Sequence, residues 1–353
     1  MRRRLRSVVV VTTVLAALCA CSGSSAADKP TSPTARSSSP TAPDPTSTAP
    51  PSHTSARPPR PKLPPVAGQL PALPVIAQGV SSANAAHVFR AWDWDFRTMS
   101  QVFNTVSLLP GDPHVVAAAR RAGLAVVLEF DYKREFFAGQ DISAKVRAVA
   151  TQIRAAPGSV AAVHVADRLN EKYSAADGLR YLAATGGLLH QLVPDVPVFV
   201  NTPDWQLTCG IMGQASCASH GERFQYETDA TLNAFLDSGD VDGLSIANNL
   251  KGFDAEAQKA AWQRARTNWP EPIKLWSTCS QLSFGAYRYD GSPPAAAAAD
   301  AYITAPVRGG ADGLALWAWH QEYSGEVDTF LDKDGSPNAV WDAMREAVRG
   351  IGG

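Results

Sequence analysis

The sequence predicts a (β/α)8 barrel. Short apolar runs alternate with helical stretches, eight such runs fall between Leu73 and Gly353, and a last helix follows the eighth. In order, the runs are HVFRAW (His87 to Trp92), TVSLL (Thr105 to Leu109) and LAVVLEF (Leu124 to Phe130), then VAAVHVA (Val160 to Ala166) and VPVFVN (Val196 to Asn201). The last three are DGLSIAN (Asp242 to Asn248), IKLWST (Ile273 to Thr278) and DGLALWAW (Asp312 to Trp319). Helical candidates separate them: PHVVAAARRAG after the second, DISAKVRAVATQIRAA after the third and SAADGLRYLAATGGLLHQLV after the fourth. DAEAQKAAWQRART follows the sixth, PPAAAAADAYITAPVRGG the seventh and NAVWDAMREAVR the eighth. Strands that alternate with helices pair in parallel, with the helices outside. A doubly wound open sheet would carry a glycine-rich phosphate turn after an early strand, and the sequence has none.

The residues ahead of the barrel are of a different kind. Four arginines fall in the first six residues, and an apolar run extends from Val8 to about Leu18. This is the charged start and short apolar core of an export signal, too short for a stable span. In LCAC, Leu18 stands three residues before Cys21 and Ala20 directly before it, which resembles the lipobox of bacterial lipoproteins. The resemblance implies a signal peptide over residues 1–20, acylation of Cys21 and a lipid anchor on the outer face of the cell membrane. Residues 21–72 are Pro, Ser, Thr and Ala with almost no large apolar side chain, so burial cannot offset chain entropy and a disordered tether is expected. At about 3.1 Å per residue it reaches on the order of 150 Å when extended. The barrel domain then occupies 73–353.

Charge separates the same regions. Nine of the 32 Lys and Arg and two of the 33 Asp and Glu precede residue 73, leaving 23 basic and 31 acidic residues, a net charge near −8. That balance disfavours nucleic acid and anionic lipid as partners of the domain, and a monomer is expected. Cys209 and Cys217, in the polar loop CGIMGQASC of an exported chain, are expected to form a disulfide, with Cys279 left as a buried thiol. No cysteine spacing matches a zinc site, and no metal or other cofactor is expected.

Barrel enzymes build their sites at the carboxyl ends of strands, so function is read from the residues that close each run. The first presents Arg90, Trp92 and Asp93, and the third Glu129 and Asp131, two apart and so on one face. The fourth leads into Asp167, Asn170 and Glu171, and the fifth into Asn201, Asp204 and Trp205. Asn248 closes the sixth, Ser277, Thr278 and Cys279 the seventh, and Trp317, Trp319 and His320 the eighth. Tryptophan faces stack on the C–H faces of sugars, amides and charged groups satisfy hydroxyls, and paired carboxylates do the acid and base work of glycosidic cleavage. Asp167 follows its apolar run directly and is better fixed than Glu171, so it is the first choice for the acid. Asp131 and Asp204, on the flanking strands, compete as its partner. Neighbouring strands lie about 4.8 Å apart, which allows carboxyl separations of either the retaining or the inverting kind. Glu129 also has a structural reading, as an inward ion pair with Arg90, and His164 reads as a hydrogen-bonded core histidine.

The LNE that closes the fourth run and the LWAW that closes the eighth resemble the large clan of retaining (β/α)8 glycoside hydrolases. The resemblance implies that Asn170 orients substrate and that Glu171 is the acid/base. The clan's nucleophile, a glutamate at the end of strand seven, has no counterpart in KLWSTCSQ, and Glu271 precedes that strand. The sequence thus supports two readings: a cell-surface hydrolase of poly- or oligosaccharides working through paired carboxylates, or a glycan-binding lipoprotein that keeps the barrel without turnover.

Overall fold

The proline-rich segment ends at Pro74, and the VIAQ after it forms the first strand, β1 (Val75–Gln78), with all four residues buried. In the computed structural model it pairs in parallel with β2 (Thr105–Leu108) on one side and β8 (Gly313–Trp317) on the other, closing an eight-stranded barrel in sequence order. Between them run β3 (Ala125–Glu129), β4 (Val160–Asp167), β5 (Val198–Thr202), β6 (Gly243–Ala247) and β7 (Lys274–Cys279). The structure describes residues 72–78, 92–111, 113–202, 228–248, 254–279, 295–317 and 339–351, without the side chains of 92–95, 279, 295, 317 and 339. All of these belong to the second of the chain's two units, Arg60–Gly353.

The barrel is as predicted, but its first strand is not HVFRAW. Trp92–Met99 is a helix, α1, and β1 lies upstream of it. In WDWDFRTM the residues Phe96 and Met99 are buried, with exposed Arg97 between them, which is the spacing of one helical face rather than of a strand. The true first strand is only four residues long and abuts the prolines, so its apolar run merges with the tether in sequence. The other seven runs fall on β2 to β8.

The outer layer comprises α2 (Pro113–Arg121), α3 (Lys133–Phe137), α4 (Ser143–Ala155), α5 (Leu169–Lys172), α6 (Ala175–Leu182) and α7 (Leu188–Leu192). It continues with α8 (Asp229–Asp237), α9 (Ala255–Asn268), α10 (Ala295–Ala299), α11 (Ala305–Arg308) and α12 (Ala339–Gly350). Strand residues alternate between two cores. Val106, Leu128, Val163, Val200, Ile246 and Leu316 face the helices, while Ile76, Val127, Ala162, Phe199, Trp276 and Ala315 fill the barrel.

DGLSIAN and DGLALWAW begin alike for a structural reason. Asp242 and Asp312 stand one place before β6 and β8, and a carboxylate oxygen of each accepts a backbone N–H at the start of the preceding strand, from Val198 at 2.7 Å and Leu275 at 2.8 Å. The same oxygen of Asp242 meets His190 at 2.9 Å, and that of Asp312 meets Arg266. Asn104, one place before β2, likewise accepts the N–H of Val75 at 2.8 Å. Three side chains thus peg the amino-terminal rim by satisfying backbone donors there. The glycine after each aspartate clears space inside. Phe199 and Trp276 stack at 3.8 Å between ring centres, and a Cβ on Gly243 would lie 2.5 Å from both the Phe199 ring and the Lys274 carbonyl oxygen. A Cβ on Gly313 would lie 2.8 Å from the Trp276 indole.

Gly243→Ala is therefore expected to destabilise the domain by about 1–3 kcal/mol, the usual range for overpacking. Gly350→Ala, where an added Cβ meets nothing within 4 Å, is expected to be neutral or slightly stabilising. Urea unfolding of the two variants checks the contrast.

Candidate active site

The carboxyl end of β4 is built around an irregularity. Ala162 and His164 face the interior, so strict alternation would turn Asp167 outward among the helices. The register slips instead: His164 pairs with Phe199, Ala166 with Val200 and Asp167 with Asn201. Val165 is the extra residue, a bulge that re-aims the side chains after it. Its carbonyl accepts the hydroxyl of Tyr181, from α6, at 2.6 Å, and the same phenol oxygen accepts the N–H of Tyr132 at 3.0 Å. Tyr181 is wholly buried, and burial pushes its phenol pKa far up, so it stays a donor. After Asp167 the chain turns sharply. Arg168 adopts the left-handed conformation at φ 50°, strained for a residue with a Cβ, while its N–H still bonds Asn201 O at 2.8 Å.

The slip brings Asp167 to the inner side of the mouth, where its Oδ1 accepts Nδ2 of Asn201 at 2.7 Å. Solvent reaches Asp167, yet enough of the rim surrounds the carboxyl that desolvation raises its pKa above 3.8. The charges of Lys133 and Arg168 oppose the rise, and those of Asp131 and Glu129 add to it. Glu129, closing β3, is treated in the opposite way. Burial alone would raise its pKa, but hydrogen bonds from His164, Gln78 and Ser107, together with the charge of His164, hold it below 4.5. Gln78 Nε2 donates to Oε1 at 2.7 Å, and His164 Nδ1 lies 3.1 Å from the same oxygen.

Around this pair the rim is ionic. Asp131 Oδ2 faces Lys133 Nζ at 3.0 Å, and Oδ1 accepts the Lys133 N–H at 3.0 Å. Glu171 lies 3.6 Å from Arg168. Across the mouth Thr278, on β7, is hydrogen-bonded to the hydroxyl of Ser245 on β6. Among the described residues no group of three or more His, Cys, Asp or Glu side chains could hold a metal ion. A groove of 280 Å³ lined by Phe136, Asp141, Ile142, Ala184 and Leu188 lies in the helical layer, away from the strand ends.

Of the residues expected at the site, the structure brings together Glu129, Asp131, Asp167 and Asn201. Glu171 and Asn170 sit in α5, beyond the strand. Asn170 is wholly buried there, and neither of its side-chain amide atoms has a hydrogen-bond partner. Asn248 is also wholly buried, its Nδ2 donating to Ser277 Oγ at 3.3 Å. Alternation places Ser277 on the outer side of β7, between inward Trp276 and Thr278, and Asn248 joins it there. Trp92 and Asp93 open α1 rather than closing a strand, and Trp317 ends β8 in register with Gln78. Arg90, Asp204, Trp205, Trp319 and His320, with Cys21, Cys209 and Cys217, lie outside the described residues. Glu129 does have a structural partner, His164, as well as Gln78. The strand-end reading passed over Gln78, Ser107, Lys133 and Tyr181. Gln78 and Ser107 belong to β1 and β2, and placing the first strand at HVFRAW instead of VIAQ hid the first of them.

No protein-family profile matches the sequence, and no curated protein sequence matches it. Solved structures share the fold. An exo-β-1,4-mannosidase from Opitutaceae bacterium strain TAV5 superposes with a TM-score of 0.57 at 14% identity, over 79% of this chain and 60% of that one. A GH5_18 protein from Streptomyces cattleya, in complex with GlcNAc, gives 0.56 at 12%, over 80% and 81%. A xylanase from Cellvibrio japonicus gives 0.51 at 13%, over 79% and 98%. The chain thus spans less than two thirds of the mannosidase. It shares the (β/α)8 barrel of these glycoside hydrolases at low identity.

Because Asp167 binds its proton more tightly folded than unfolded, its ionisation lowers stability as pH rises from about 3.9, the unfolded value, through the raised folded value. Asp167→Asn removes that loss, and the new amide still offers an oxygen to Asn201. The variant is expected to melt higher than wild type at pH 7, with the gain vanishing below about pH 4, as thermal unfolding across pH will show.

Proposed function

We propose that this chain acts on an oligo- or polysaccharide at the cell surface, with Asp167 as proton donor to the glycosidic oxygen. The observation that carries the reading is the opposite treatment of two carboxylates at one mouth: Asp167 is pushed toward the protonated form and Glu129 toward the ionised one. Asp131 is the partner carboxylate. It stands on the exit of the adjacent strand, its charge is felt at Asp167, and Lys133 holds its orientation. In this reading the bond to the leaving sugar breaks as Asp167 transfers its proton, and Asp131 takes a proton from the attacking water. A water nucleophile suits the end of β7, where Thr278 and its Ser245 partner stand in place of a carboxylate. The barrel also carries mannosidase and xylanase activity in proteins of the same fold, which supports a glycan as the substrate class.

The export signal and the cysteine in LCAC support a lipid anchor at Cys21, with residues 21–72 holding a monomeric barrel away from the membrane and a Cys209–Cys217 disulfide bracing the segment after β5. A second reading, glycan binding without turnover, is favoured by the same bare end of β7.

Sugar release by the full chain from mannan, xylan and chitin oligomers, beside Asp167→Asn and Asp131→Asn, separates the readings. Hydrolysis is expected in wild type, with kcat/KM about 10²–10⁴ lower in Asp167→Asn, the usual contribution of a general acid, and glycan binding retained. Binding by all three proteins without release would replace hydrolysis by the binding reading.

A further inference from the structure

The backbone ladder between β3 and β4 stops where the bulge begins, and a phenol stands in the place of its next rung. Phe130 N–H bonds His164 O at 3.0 Å. Parallel ladders space their bonds evenly, so the next donor along β3 is Tyr132 N–H, and a direct bond to β4 would follow. Tyr132 N–H instead bonds the phenol oxygen of Tyr181 at 3.0 Å, and the phenol's proton goes to Val165 O at 2.6 Å. Two bonds in series thus stand where a ladder has one N···O bond of about 2.9 Å. The inserted oxygen keeps the two chains from closing on each other where Asp131 and Asp167 leave them, one residue before Tyr132 and two after Val165.

The wedge is itself clamped. Tyr181 is wholly buried, and burial holds the phenol in its protonated form, so it serves as donor and acceptor together. Its ring meets Phe136 edge-on at 5.5 Å and lies 6.2 Å from Phe137. Both of those rings come from α3, which opens two residues after Asp131. Phe137 stacks in turn on Tyr173 at 3.9 Å, at the end of α5 beyond Asp167. Aromatic pairs hold defined geometries, so the phenol oxygen is fixed from the β3 side as well as from α6. One turn along, the Thr185 hydroxyl donates to Tyr181 O at 2.8 Å and secures the helix without touching the phenol.

We infer that Tyr181 is a positioning residue, whose phenol replaces a rung between β3 and β4 and so sets the spacing of Asp131 and Asp167. The inference rests on the reading that those two carboxyls perform hydrolysis, and it gives their separation a cause outside the mouth. Carboxyl separation decides whether a water fits between such a pair. An error of about 1 Å in a reacting geometry costs on the order of a hundredfold in rate.

Tyr181→Phe keeps the ring and removes the oxygen. Thr185→Val removes a buried hydrogen bond of the same helix and keeps the phenol, so it reports what destabilisation alone does. Carbon NMR titration of Asp167 and hydrolysis of mannan, xylan and chitin oligomers are measured on both full-chain variants. In Tyr181→Phe the unbonded Val165 O and Tyr132 N–H draw water into the gap. Asp167 is then expected to titrate lower than in wild type, and kcat to fall about a hundredfold with KM little changed. Thr185→Val is expected to match wild type in both. An Asp167 titration in Tyr181→Phe that stays put or rises, or an equal shift in Thr185→Val, overturns the assignment of Tyr181 alone. Where wild type cleaves, an unchanged kcat in Tyr181→Phe does the same. A wild type that neither binds nor cleaves any of the glycans overturns the carbohydrate reading, and the titration still decides the role of the phenol. If Tyr181→Phe does not fold, amide exchange in wild type decides. Tyr132 N–H is expected to be as protected as Phe130 N–H, and exchange at the unprotected rate overturns the wedge.

Discussion

The site depends on one extra residue in β4. Without the slip at Val165, Asp167 would point into the helical layer, and a carboxyl there would face apolar side chains such as Val163 and Val200. A bulge leaves a strand carbonyl to be satisfied, and the Tyr181 hydroxyl satisfies it from the buried face of α6. The same oxygen holds the Tyr132 N–H. One phenol therefore fixes both the bulge and the chain just past Asp131, so Asp167 and Asp131 share a support.

The mouth carries backbone strain and several unmet bonds. Arg168 holds a left-handed backbone, Asp167 is partly desolvated, and polar side-chain atoms of Gln78, His164 and Asn201 are buried without partners. At the opposite rim Asn104, Asp242 and Asp312 each satisfy the backbone of a neighbouring strand. Barrels divide stability and chemistry between their two ends in this way. The amino-terminal pegs and the Phe199–Trp276 stack hold the scaffold on which the strained end is carried.

The sequence made the barrel legible because seven of its strands are apolar runs flanked by helical periods. It hid β1, whose four residues come straight after prolines and look like the end of the tether, and it gave HVFRAW the place of the first strand, which the structure gives to VIAQ. Asp167 was legible because it ends an uninterrupted run. The reason it faces inward was not, since a bulge leaves no mark in residue types. Glu129 shows the same limit: its position at the end of β3 could be read, but its partner Gln78 belongs to a strand that could not. Asn248, read as a strand-end ligand, lies on the outer face because one step of register decides between substrate and packing.

The central claim is that one mouth divides two carboxyls between acid and anion. Carbon NMR titration of the Asp167 and Glu129 carboxyls in the full chain measures it directly. The account predicts that Asp167 titrates above its ordinary 3.8 and Glu129 below its ordinary 4.5. An Asp167 that titrates at or below 3.8 would contradict it.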